Sequence, residues 1–134
     1  MDVKAVVVDW ARSPFHRAHK GSLGGMRPDD LAAHVIKELI SRNDIDSSDF
    51  DDVLRGWGYA VAEQGYNIGR VVSFLAGFPD SVPGVTINRL CGSSMHAVLS
   101  AAANIESGWG DCYLCAGVES VSYTHLTLPT KRIV

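Results

Sequence analysis

Residues Val85–Gly108 read VTINRLCGSSMHAVLSAAANIESG, and the pattern changes twice within them. The β-branched opening, VTIN, is the signature of a buried strand. A short turn, RLCG, follows. The rest is a run of small and apolar residues with no charged side chain before Glu106, closed by Gly108, which reads as a helix ending at a glycine cap. Cys91 lies where strand gives way to helix. A free cysteine there can be a small buried hydrophobe. It can also be a nucleophile whose thiolate is favoured by the positive end of the helix. The N–H groups of Gly92, Ser93 and Ser94 would then be available to a developing oxyanion. Residue chemistry alone leaves both readings open.

Upstream, VKAVVVDWA (3–11) is a continuous apolar run, expected to be a strand covered on both faces. A loop rich in Pro, Gly and Ser follows, RSPFHRAHKGSLGGMR, with His16 and His19 read as solvated. PDDLAAHVIKELISRN predicts a helix. Pro28 suits its first turn, Asp29 and Asp30 complement its dipole, and Leu31, Val35, Ile36, Leu39 and Ile40 form its apolar stripe, with His34 at the surface. VLRGWGYA, PGVTINRL and DCYLCAGVES predict further strands, and NIGRVVSFLAGF a helix stopped by Gly77. Strands alternating with helices give an α/β fold with at least partly parallel strands.

The 134 residues suffice for one modest domain, or for a piece of something larger. Hydrophobic residues make up 46% and charged ones 20%, the balance of a globular chain. A net charge of −3, with Lys and Arg scattered, gives no nucleic-acid footprint. The apolar runs are too short for a membrane span, and Met1–Lys4 opens without a signal-peptide pattern, so a cytoplasmic location with reduced thiols is expected. Cys112 and Cys115 form a CxxC, but residues three apart on a strand point to opposite faces, so a core role is expected rather than a metal site. Gly56 and Gly58 lack the spacing of a phosphate loop. His96, more than a turn from the Cys91 sulfur, is poorly placed as a base.

NRLCGSSM with its Ala-rich helix and the later AGVES resemble the nucleophile region of thiolases. RSPF, GSLGGMRPDDLAAHVI, AEQGYNIGR and PDSVPGVTINRLCGSSM follow that family in order and spacing. Residues 1–120 therefore resemble part of a thiolase N-terminal domain, with a mixed or parallel sheet and a buried helix behind Cys91. The wording EQGYNIGR and LCGSSM is most similar to bacterial 3-ketoacyl-CoA thiolases of fatty acid β-oxidation. The resemblance implies that Cys91 is the nucleophile, forming a thioester during cleavage of 3-ketoacyl-CoA by CoA. It implies CoA as co-substrate and no metal or prosthetic cofactor. It also implies a homo-oligomer, in bacteria paired with a multifunctional β-oxidation subunit. The alternatives are a biosynthetic acetoacetyl-CoA thiolase and a non-catalytic fragment of thiolase fold.

In that family the acid–base histidine and second cysteine lie in later motifs (NEAFA, GGAIALGHP, CxGxG), and none of these strings occurs here. An isolated chain is expected to be inactive for that reason. The resemblance sets Asn67 and Arg70 near the wall of the site and dimer contacts, with a helix cap and a surface charge as the plain alternative. Glu119 would be a structural acid near the Cys91 layer. Residues 121–134, VSYTHLTLPTKRIV, break the α/β alternation and resemble translated adapter sequence from library preparation. They are expected to be non-native, His125 included.

Overall fold

A computed structural model describes residues 4–120. The expected adapter-derived tail, 121–134 with His125, lies outside the described residues. Helix α1 spans Pro28–Ser41 and strand β1 Asp52–Gly56; helix α2, Ile68–Ala76, leads to strand β2, Gly84–Ile87. Helix α3, Ser93–Ser107, leads to strand β3, Tyr113–Gly117. The three strands form one parallel sheet in the order β2-β1-β3. Leu54 pairs with Val85 on one side and Cys115 on the other, and Gly56 pairs with Ile87 and Gly117.

Alternation along β1 divides the core in two. Val53 and the following Trp57 pack with Ala32, Ile36, Ile68 and Val72 under α1 and α2. Leu54 packs with Ala97 and Ala101 of α3 on the opposite face. Gly77, at φ 91, ends α2 in the left-handed conformation that glycine adopts most readily, and Gly108, at φ 77, ends α3 the same way. The apolar stripe of α1 is rotated from expectation. Ala32, Ala33 and Ile36 are buried, Leu39 and Ile40 pack at the core's edge, and Leu31 and Val35 face a groove beside residues 9–14. His34 is exposed, as expected.

Two expectations are corrected. Residues 4–11 form no strand, and Val6, Val7, Val8 and Trp10 are 71–76% exposed. A strand is stabilised by a neighbour's backbone, and among the described residues neither sheet edge accepts this run. It is held instead through Asp9, whose carboxylate accepts 2.8 Å bonds from the Arg42 guanidinium and a 2.7 Å bond from Asn43. Those partners hold the Asp9 carboxyl down at about 2. Helix α3 is likewise buried on one face only. Ser93, Ala97 and Ala101 meet the sheet while Met95 and Leu99 are 65% and 59% exposed, because a single three-stranded sheet covers only one side of a helix.

Candidate active site

The carboxyl ends of β1 and β3 and the start of α3 enclose one side of a cleft of about 550 Å³, and residues 13–18 with Tyr59 close the other. In parallel sheets this end of the strands is where ligands bind. Cys91 lines the cleft and is exposed. Gly56 and Gly117 let α3 come so close. A methyl on Gly56 would lie 2.5 Å from the Ser93 carbonyl carbon and from Ser94 Cα, and one on Gly117 would collide with the Ser94 hydroxyl. Gly56→Ala is therefore expected to push α3 off the strand end at a cost of about 1–3 kcal/mol. A lower urea midpoint checks this, and an unchanged midpoint would show that α3 does not rest on β1.

The turn carrying Cys91 is tight. Leu90 adopts φ 51, a left-handed conformation that costs an ordinary residue roughly 1–2 kcal/mol. The Gly92 and Ser93 N–H groups donate to the Arg89 and Leu90 carbonyls at 3.1 and 3.0 Å. These two donors, expected to be free for an oxyanion, are therefore already engaged. Closing the turn needs them. Ser94, the next residue, does line the cleft.

The other singled-out residues separate into those that line the cleft and those that do not. Glu119 lines the cleft and accepts a 2.9 Å bond from the Gly58 N–H. His16, expected to be a solvated loop residue, is exposed yet lines the same cleft as Cys91. Its Nδ1 accepts the Ser22 N–H at 3.2 Å and lies 2.8 Å from the Ser22 hydroxyl. No local pattern around His16 announces this, since the loop returns to the site only through the fold. Asn67 and Arg70 do not line the cleft. Asn67 caps α2, accepting from the Arg70 N–H and from Thr86 Oγ1 at 2.7 Å while donating to the Gly84 carbonyl. Arg70 donates to the Val82 and Asp80 carbonyls and stacks 3.9 Å over Phe74. His96 lies on α3 away from the cleft lining.

The CxxC pair does not share the strand expected for it. Cys112 precedes β3, its N–H bonded to Asp51, and Cys115 lies under α3 with its thiol donating to the Ala97 carbonyl at 3.5 Å. Burial pushes the Cys115 thiol up to about 11; burial, with Asp51 and Asp49 nearby, also raises Cys112. A thiol near 11 is only about one part in a thousand thiolate at pH 8, and the thiolate is the reactive form. Iodoacetamide near neutral pH is therefore expected to label Cys91 first, read by peptide mass spectrometry. Earlier labelling of Cys112 or Cys115 would contradict the assignment of the exposed thiol as the reactive one.

Among the described residues no helix is long and apolar enough to cross a membrane. Comparison with known proteins agrees with this geometry. The family model described as thiolase, N-terminal domain, matches residues 5–133. A 3-ketoacyl-CoA thiolase of Pseudoalteromonas translucida is 45% identical over 123 residues, which is 91% of this chain and 32% of that protein. One of Saccharophagus degradans is 45% identical over 119 residues, 88% of this chain and 30% of that protein. The crystal structure of the Bacillus anthracis acetyl-CoA acetyltransferase superposes with a TM-score of 0.69 at 35% identity, over 76% of this chain and 26% of that one. The chain thus spans about a third of the length of these curated relatives, and it belongs to the thiolase family through that family's N-terminal domain.

Proposed function

We propose that the chain is the nucleophile-bearing part of an acyltransferase that cleaves 3-ketoacyl-CoA with CoA. The observation that carries this reading is the position of Cys91, exposed in a cleft at the strand ends and beside the start of α3. A thiolate there attacks the keto carbon of the substrate. The bond between C2 and C3 then breaks, acetyl-CoA leaves as its enolate and takes up a proton, and the acyl group stays on the Cys91 sulfur as a thioester. The deprotonated thiol of a second CoA attacks that thioester and expels the Cys91 thiolate. The apolar side chains of Phe15, Leu23, Met26 and Leu90 in the cleft lining suit an acyl chain.

Degradative cleavage is favoured over biosynthetic condensation because the relatives named 3-ketoacyl-CoA thiolase are 45% identical, against 35% for the acetyl-CoA acetyltransferase. CoA is the co-substrate, and no step in this chemistry calls for a metal or prosthetic group. We place the enzyme in the cytoplasm as a homo-oligomer, in keeping with the resemblance of its sequence. The test is a chimera in which residues 1–120 replace the matching segment of the Pseudoalteromonas translucida relative. It is expected to cleave 3-ketoacyl-CoA, and its Cys91→Ser form is not. Activity that survives Cys91→Ser would remove the cysteine from the mechanism.

A further inference from the structure

We propose that Asn88, Ser93 and Glu119 are positioning residues that hold Cys91 at the cleft through one connected set of hydrogen bonds. The proposal rests on the reading of Cys91 as the nucleophile. The chain of bonds starts after β3, where the Glu119 carboxylate accepts the Gly58 N–H at 2.9 Å. The Gly58 carbonyl accepts Asn88 Nδ2 at 3.0 Å, and Asn88 Oδ1 accepts the Leu90 N–H at 2.9 Å. From the other side, buried Ser93 Oγ accepts the Arg89 N–H at 2.8 Å. Its single proton is shared between the Leu90 carbonyl at 2.6 Å and the Trp57 carbonyl at 2.9 Å.

The segments that follow all three strands are thereby joined, and Cys91 lies in the chain between the bound residues Leu90 and Ser93. Both residues before Cys91 have their backbone N–H groups bound by side chains, whereas the Cys91 sulfur takes part in none of these bonds. Leu90 is the strained member, at φ 51. Left without Asn88 and Ser93 it relaxes to negative φ, and the peptide linking it to Cys91 turns with it. The sulfur then loses its place beside the helix start. Glu119 acts one step further back. A methyl on Gly58 would lie 2.8 Å from Glu119 Oε2, so Gly58→Ala displaces the carboxylate while leaving every hydrogen-bonding group present.

The experiment uses the 134-residue chain and three readouts. The one-bond Cα–Hα coupling of Leu90 reports the sign of φ by NMR. The iodoacetamide rate at Cys91, relative to the same chain in denaturant, reports the sulfur's setting, and thermal unfolding controls for the fold. Asn88→Ala and Gly58→Ala are expected to shift the Leu90 coupling toward the negative-φ value. They are expected to slow Cys91 roughly fivefold, the rate equivalent of one ordinary hydrogen bond. Ser93→Thr and Glu119→Gln keep the needed oxygens and should retain the native coupling and rate. Ser93→Ala is expected to shift the coupling and rate as Asn88→Ala does, and Asn88→Asp, which keeps the acceptor for Leu90 but loses the donor to Gly58, gives an intermediate rate.

An unmoved coupling and rate in folded Asn88→Ala and Gly58→Ala would overturn the proposal and leave the acyltransferase reading standing. An inactive chimera with the native Leu90 coupling in this chain would do the reverse. A lower melting temperature with unchanged coupling and rate would show that these residues serve the fold alone, and would also overturn it.

Discussion

Assayed alone, the chain is expected to release no acetyl-CoA from a 3-ketoacyl-CoA above the level of its Cys91→Ser variant. A nucleophile by itself leaves the hardest part of the reaction unassisted, since the departing enolate needs a proton and the oxygen of the attacked carbonyl needs donors. Losing a positioned acid–base group costs about 10²–10⁴-fold. Losing an oxyanion donor costs roughly another 10²–10³-fold. Together they amount to about 10⁴–10⁷-fold. The cleft adds little to offset this. The Gly92 and Ser93 N–H groups are engaged in closing the turn, and Glu119 is occupied by Gly58. Histidine 16 is the one imidazole lining the cleft among the described residues, and its Nδ1 accepts from Ser22. Continuous thiolysis of acetoacetyl-CoA and of a longer substrate is the measurement. Multiple turnovers that depend on Cys91 would show that this segment carries its own acid and base.

Replacing Arg55 by Met is expected to raise stability. Arg55 is the fourth residue of β1, on the α1/α2 face and fully buried, and among the described residues its three guanidinium nitrogens find no hydrogen-bond partner. Burial pushes its ionisation down from the usual guanidinium range to about 10, with Asp29 opposing. That displacement corresponds to on the order of 3 kcal/mol against the folded, charged form. Asp29 does not compensate, because Arg27 already binds it at 2.6 and 3.1 Å. The Trp57 ring lies 5.3 Å from the guanidinium, and a desolvated cation–π pair is worth up to about 2 kcal/mol.

Methionine keeps the unbranched stem against Trp57 and discards the charge. A net gain of about 1–2 kcal/mol follows, a rise in Tm of roughly 5–10 °C for a domain of this size. Above about pH 10 the folded chain has released the Arg55 proton that the unfolded chain still holds, so the wild type gains stability as pH rises there. Below pH 10 the penalty is fully present, and the advantage of Arg55→Met should be constant across neutral pH. A fall in Tm would show that Arg55 is compensated in solution.

The alternation of strands and helices was readable from residues 28 to 117 because local pattern and final burial coincide there. The glycine stops at Gly77 and Gly108 and the Asn67 cap are where the sequence sets them. The apolar run 4–11 misled for the opposite reason. Its composition reports the burial it is suited to, and no described strand supplies it. The outer face of α3, with Met95 and Leu99, carries the same signal. In the site, Cys91 stood out through its place between VTIN and the helix. Glu119 was placed near it only through the family resemblance, and His16 not at all, because they reach the cleft from loops 28 residues ahead of Cys91 and 75 residues behind it in the chain. Arg55 was hidden by its neighbours, an apolar strand context that gives no sign of which face a charge will occupy.

The central claim is that Cys91 carries the acyl group. The most direct measurement is to incubate the chimera holding residues 1–120 with a 3-ketoacyl-CoA in the absence of free CoA, quench in acid, and weigh the peptide containing Cys91. An acyl adduct on Cys91 that disappears when CoA is added before the quench is expected. Acetyl-CoA release with an unmodified Cys91 peptide, or the acyl group on another residue, would contradict it.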